Sequence, residues 1–320
     1  MNYRKKYLSL VIAALLGGAS PAFAADAPSL GAASDFAVLS APSGSATGTA
    51  AQGRTAAAGA VTCTDSSITG NVGSTDPADT VAPTCTITEG AFIAPVATGV
   101  LRDYYRAYDA LAPKTGDCDA AHTLGSTIPP STTLSPGTYC TGAALTVSDV
   151  TLTLDGAGVY IFKIGTSGTG ALTGTNFNVD LINGASACDV TWWVAQAATM
   201  TNNSDGASEF KGTILAGAAI DMTGTSTAIP LPVTGRALAG RTSATAGVTL
   251  TDVAFIGCEG GSRGGKSQST CNQGVGNGPE ECDPGNSNQD GNPSPFPSSR
   301  SNDEVDGAVP GNPGRMGGNK

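Results

Sequence analysis

The chain has 320 residues and a mass of 31.5 kDa, with 44 Gly, 39 Thr and only 13% charged residues. Ordinary soluble domains carry about 25% charge, so small neutral polar side chains must build much of this surface. A net charge of −10 gives no positive face for a phosphate backbone, and 5% aromatics with a single His leave little for base stacking or imidazole chemistry, which excludes nucleic acid as a partner.

Residues 1–24 read as a signal peptide. Arg4, Lys5 and Lys6 are basic, Tyr7 to Leu16 is a short apolar run, and Ala22-Phe23-Ala24 is an A-x-A cleavage site. Cleavage after Ala24 removes three positive charges and leaves a net charge of about −13. No later stretch approaches the ~20 apolar residues that spanning a bilayer needs, so a secreted protein without a membrane span is expected.

The domain that follows is expected over residues 25–258. Asp35 to Leu39 reads as a first strand and Ala46 to Ala60 as a Gly/Ala/Thr loop. The stretch from about 45 to 92, with Cys63 to Cys85 as a clipped excursion, is expected to cap one end. Between 95 and 112 the apolar residues Val96, Val100, Leu101, Tyr104, Tyr105, Tyr108 and Leu111 recur at three- and four-residue spacing, which predicts one helix, stopped by Pro113.

From Leu124 to Gly257 short β-rich runs alternate with Gly, Asn and Ser-Pro turns, and five of them align. They begin at Leu145, Leu172, Met200, Met222 and Leu250, with starts 27, 28, 22 and 28 residues apart. If each first residue points inward, the outward columns are Thr146, Thr173, Thr201, Thr223, Thr251 and Ser148, Thr175, Asn203, Thr225, Val253, without a charge. Apolar strands lie between them: Val159 to Phe162, Val190 to Val194, Phe210 to Leu215 and Arg236 to Ala239. Three strands per 22–28 residues predict a mostly β protein, a β-helix whose coils stack about 4.7–4.9 Å apart. Residues 259–320 have almost no apolar content and read as a disordered tail, a candidate for cell-surface association.

Export makes the eight cysteines readable as disulfides, and nearest neighbours pair Cys63 with Cys85, Cys118 with Cys140, Cys188 with Cys258, and Cys271 with Cys282. No C-x-x-C occurs and one His cannot complete a mixed zinc site, so neither metal nor cofactor is expected. The acidic cluster Glu280, Glu281 and Asp283 lacks EF-hand spacing and reads as solvated charge. His122 has no G-x-S-x-G partner, and Asp155, Asp180, Asp189 and Asp205 sit beside Gly or Asn, where Asp serves turns, so an enzyme is not expected.

A flat face of outward Thr repeats a methyl and a hydroxyl at the coil spacing, which is close to a repeat of the ice lattice. Rigid methyls can hold a cage-like water layer and hydroxyls can anchor it. The alternative from a different class is an adhesin or carbohydrate-binding module, which Trp192 or Trp193 would serve if exposed; alternation puts them on opposite faces.

Several landmarks resemble the DUF3494 ice-binding proteins of cold-adapted microbes. They are Leu30-Gly31 through Asp35 to Leu39, Gly70-Asn71-Val72-Gly73, the Tyr104 to Ala112 helix, Leu134 to Cys140, Val159 to Phe162, Leu181 to Ala185, Phe210-Lys211-Gly212 and Gly235 to Ala239, in order over about 30–257. The resemblance implies a right-handed β-helix of triangular section with the helix packed along one face and ice bound by a flat neighbouring face. It also implies coils stacked out of sequence order, so that an N-terminal strand is expected to interrupt the columns. Some relatives carry a T-A/G-x-T/N motif, which Thr173-Gly174-Thr175-Asn176 matches. Thr223-Gly224-Thr225-Ser226 departs in its last residue and Thr201-Asn202-Asn203-Ser204 departs further, while Ile229 to Pro232 is expected to bulge at the edge of the face. The reading is a monomeric protein whose partner is the ice crystal surface.

Overall fold

Alternation of apolar and small polar residues, broken every few positions by Asp, Asn or Gly, favours short strands that turn a corner and continue in the same sense. In the computed structural model, which describes residues 27–43, 59–114, 116–118, 122–203 and 208–258, such strands pair in parallel from one end of the molecule to the other. The expected signal peptide, residues 259–320 with Cys271, Cys282 and the Glu280 cluster, and Asp205 lie outside the described residues.

In chain order the elements are β1 (Phe36–Ser40), β2 (Val61–Thr64), β3 (Ser67–Thr69), β4 (Asn71–Ser74), β5 (Thr86–Thr88) and β6 (Phe92–Ile93), then α1 (Thr98–Leu111). There follow β7 (Thr132–Leu134), β8 (Gly137–Thr141), β9 (Leu145–Ser148), β10 (Thr151–Asp155), β11 (Tyr160–Ile164), β12 (Leu172–Thr175), β13 (Asn178–Ile182) and β14 (Val190–Val194). The last are β15 (Ala198–Thr201), β16 (Phe210–Ala216), β17 (Ile220–Thr223), β18 (Leu231–Ala239), β19 (Val248–Thr251) and β20 (Val253–Gly257).

These strands wind into a solenoid with three faces. One face is a six-stranded sheet in the order β2-β19-β17-β15-β12-β9. A second carries β8, β11, β14, the C-terminal part of β16 and of β18, β1, β4 and β6. The third runs from β7, β10 and β13 to the N-terminal part of β18, β20, β3 and β5. β16 and β18 pass a corner without a break, and the bend falls at Gly212 and Gly235, paired in register with φ of 123° and 153°. A side chain at Gly212 would meet the Trp192 indole, its Cβ 2.6 Å from Nε1, so both space and backbone require glycine there.

The coils do not follow chain order. β20 ends a coil on the third face, and β1 completes it on the second, pairing with β18 on one side and β4 on the other. The Cys63–Cys85 stretch lies at that end as strands β2 to β5 that continue the solenoid rather than as an excursion from it. From there α1 runs back along the second face, about 21 Å or four coil spacings, to the end where β7 and β8 begin.

Two apolar clusters hold the fold. Inside the solenoid, Trp192 stacks on Phe162 at 4.0 Å between ring centroids and touches Phe177 and Phe210, and Leu and Ile from all three faces fill the rest. Under the helix, Tyr104, Tyr105, Tyr108, Leu101 and Leu111 pack on Leu39, Ile161, Trp193, Leu215 and Leu238. Each tyrosine also ties the helix to a backbone carbonyl of the second face or the turn after it: Tyr104 Oη donates to Ala216 O at 2.7 Å, Tyr105 Oη to Ala41 O at 3.1 Å and Tyr108 Oη to Val194 O at 3.1 Å. The disulfides Cys63–Cys85, Cys118–Cys140 and Cys188–Cys258 form as nearest-neighbour pairing predicts.

Candidate functional site

The helix covers the second face, which leaves the other two open among the described residues. On the third face the outward positions mix Asp180, the Glu209–Lys211 ion pair at 3.0 Å and the exposed Ile182 and Ile256 with threonines, so neither charge nor shape repeats. The six-stranded face is different. Every strand in it alternates buried and outward residues, with Leu145, Val147, Leu172, Ala198, Met200, Ile220, Met222, Val248, Leu250, Val61 and Cys63 inside. Gly174 is the one glycine among the inward positions, and Met200 Sδ fills the space that its side chain would take.

The register fixes two outward columns. Thr146, Thr173, Thr199, Asp221, Thr249 and Thr62 stand opposite one another in the first, and Ser148, Thr175, Thr201, Thr223, Thr251 and Thr64 in the second. Five coil spacings make each column about 24 Å long, and the two columns lie about 6.5 Å apart along the strands. Ten of the twelve outward residues are Thr.

This register corrects the alignment expected from sequence. Thr201, Thr223 and Thr251 belong to the second column, not the first, because their strands are shifted by two residues. Asn203 and Thr225 fall outside the strands, in the turns that follow β15 and β17, and Val253 opens β20 with its side chain buried. The columns are not charge-free either, since Asp221 stands in the first. Alternation alone could not separate the two alignments, because Met-Thr and Leu-Thr fit both. The discriminating signal is the second inward position: the observed register puts Met200, Met222 and Leu250 there, whereas the expected one puts Asn202, Gly224 and Asp252 inside.

An edge of polar turns borders the face. Asp65, Asp149, Asn176 and Asp252 follow their strands at the same corner with φ between 49° and 55°, a left-handed conformation that Asp and Asn tolerate best. Asn176, expected as part of a surface motif, staples this edge: its amide donates to Asp149 Oδ1 at 2.7 Å and its Oδ1 accepts from Asn203 N at 2.8 Å. The Ile229–Pro232 insertion does not bulge from the face as a block. Leu231 and Pro232 enter β18, with Leu231 buried, and the residues before them form a turn closed by Ser226 and Ile229 beside β17. Nor is either column interrupted, since the N-terminal part adds β2 as a sixth rung at one end.

Other candidate groups serve the fold. Trp192 is 0% exposed and Trp193 4%, the latter under the helix with Nε1 donating to Tyr108 O at 3.0 Å. His122 packs edge-on against Tyr139. Lys163 and Arg241, both buried, pair with Asp117 at 2.6 Å and Asp109 at 2.8 Å. A cavity of about 340 Å³ opens where the chain leaves β20, lined by Asp35, Thr69, Asn71, Glu89, Gly257 and Cys258, and Asn71 there bonds Asp35 O and Ala91 N. Among the described residues no three His, Cys, Asp or Glu side chains cluster to hold a metal, and no helix is long and apolar enough to cross a membrane.

A family model described as ice-binding-like matches residues 43–254. Solved structures are similar too. An ice-binding protein from an Antarctic Flavobacteriaceae bacterium is 30% identical with a TM-score of 0.52; the match covers 72% of this chain and 47% of that longer one. The DUF3494 domain of Shewanella frigidimarina ice-binding protein 1 is 25% identical over 72% of this chain and 98% of its own, with a TM-score of 0.49. An ice-binding protein from the Antarctic ascomycete Antarctomyces psychrotrophicus is 25% identical, with 72% and 97% covered and a TM-score of 0.48. No curated protein sequence gives a significant match.

Proposed function

The chain belongs to the ice-binding-like, DUF3494 family, and on that premise we propose that it adsorbs to ice crystals through the threonine face and so inhibits ice growth and recrystallisation. The observation that carries the reading is the second column, Ser148-Thr175-Thr201-Thr223-Thr251-Thr64, six hydroxyl residues in register without a charge. Each Thr is β-branched and stiff at χ1, so its methyl and hydroxyl keep their positions without an entropic cost at binding. A row of such methyls orders a cage of water, the hydroxyls hydrogen-bond to that cage, and the ordered layer merges with the crystal. Ice then grows only between adsorbed molecules, where its surface must curve.

Adsorption of this kind involves no bond making, so the chain acts without catalysis and without a cofactor. The site lies on one copy of the chain, consistent with a monomer. The three disulfides among the described residues, together with the signal-peptide pattern of residues 1–24, favour action outside the cell. The adhesin reading loses its aromatic platform, because both Trp side chains are buried.

The test is nanolitre osmometry with microscopy on the purified full chain. A faceted crystal that does not grow until it is cooled well below its melting point supports the reading. Round crystals that grow at once on cooling, from protein with a β-rich circular dichroism spectrum, overturn it.

A further inference from the structure

Asp221 stands in the first column between Thr199 and Thr249, with Thr223 beside it on the same strand. Several other described carboxylates of the solenoid are engaged: Asp109 with Arg241, Asp117 with Lys163, Glu209 with Lys211, and Asp149 with the Asn176 amide. No ion pair or side-chain hydrogen bond among the described residues reaches the Asp221 carboxylate. It is part-exposed on the open face, so water alone solvates it.

We propose that Asp221 sets the limit on ice affinity by splitting the first column, so that ice is held along the whole second column but only along Thr146-Thr173-Thr199 in the first. This rests on the threonine face being the ice-binding site. A carboxylate binds its own shell of water in a geometry set by the charge, and that shell must be broken or left in place when the face meets a lattice. Left in place, it holds the face away from ice around it. Thr249 and Thr62 lie beyond it, so the break isolates two rungs of the first column from the other three. Nothing in the backbone asks for Asp here, since Asp221 is a mid-strand position flanked by Thr on both neighbouring coils. Asp is a poor strand residue and Thr a good one, so Asp221→Thr suits the fold as well as the face.

The experiment compares the full-length wild type with Asp221→Thr, Asp221→Asn and Thr223→Asp, each checked for its melting temperature. The wild type reports on the face as such: no ice shaping at all overturns the reading on which the inference rests. If the wild type is active, Asp221→Thr should reach a given freezing-point gap at about threefold lower concentration or less, because relief of a charge that must shed water is worth at least a fraction of a tenfold change in affinity. Asp221→Asn, which keeps the shape and removes the charge, should move in the same direction by a smaller amount. Thr223→Asp, which moves a charge into the unbroken column, should lower activity below that of the wild type. Equal activity of wild type, Asp221→Thr and Asp221→Asn would overturn the inference and leave the face as the site. Should Asp221→Thr fail to fold, the Asn variant alone decides by the same criterion.

Discussion

Threonine at an outward strand position has two tasks, to form the strand and to present a fixed methyl and hydroxyl, and the register decides which threonines do the second. Thr223 is in a strand and in the second column, whereas Thr225, two residues on, is in a turn where its hydroxyl donates to Asn202 O at 2.7 Å. Thr223→Tyr should therefore lose at least about half of the freezing-point gap, since a separation of about 0.5–1 Å already forfeits a quarter to a half of the contact energy. Thr225→Tyr should leave it unchanged, and osmometry on the two variants tests the register directly. The buried tyrosines make a second prediction. Burial pushes the Tyr104 hydroxyl well above its ordinary value, assisted by Tyr108 and opposed by the Arg241 backbone bond. The folded state keeps that proton while the unfolded chain releases it near pH 10, so the contribution is complete below pH 10 and is lost as pH rises toward the folded value. Urea unfolding should show lower stability at pH 11 than at pH 8, and Tyr104→Phe should reduce that difference while costing about 1 kcal/mol at neutral pH for its hydrogen bond.

The strands and the helix show how far sequence reading reaches. Helix α1 was legible because seven apolar residues at helical spacing have no competing pattern, and it forms two or three residues inside its expected start. β14 and the C-terminal part of β16 were legible as largely apolar runs, because one side of each faces the interior and the other lies partly or wholly under the helix. The coil order was not legible, because a parallel pair such as Val38 and Ala237 leaves no local trace in either strand. The candidate face was half legible: Thr146, Ser148, Thr173 and Thr175 lie in the columns read from sequence, Thr199 and Thr249 were missed by a two-residue slip that preserves alternation, and Thr62 and Thr64 were missed because β2 lies in the stretch read as a cap. β2 adds the outermost rung, and its inward Cys63 joins it to Cys85. Replacing both cysteines by Ala should cost about 3 kcal/mol of stability, as expected for a loop of this length. It should also narrow the freezing-point gap by loosening Thr62 and Thr64, and thermal unfolding with osmometry measures both effects.

For the whole molecule, charge is kept off the threonine columns apart from Asp221, although the chain carries a net charge of −10. Binding through neutral groups should not depend on electrostatic attraction. Raising ionic strength from about 0.01 to 0.15 M shortens the screening length from about 30 to 8 Å, and the freezing-point gap measured at both should not shrink. The out-of-order coil has a consequence for how the chain acquires this shape. β1 is made about 200 residues before β18, one of the two neighbours against which it pairs, so a nascent chain holds its first strand with only β4 beside it until nearly the whole solenoid exists. Asp35, just ahead of β1, and Cys258, just past β20, line the same cavity. A circular permutant that links these two points and opens the chain between β1 and β2 would turn that late docking into the continuation of a coil already under way. It should refold faster than the natural order while presenting the same threonine face.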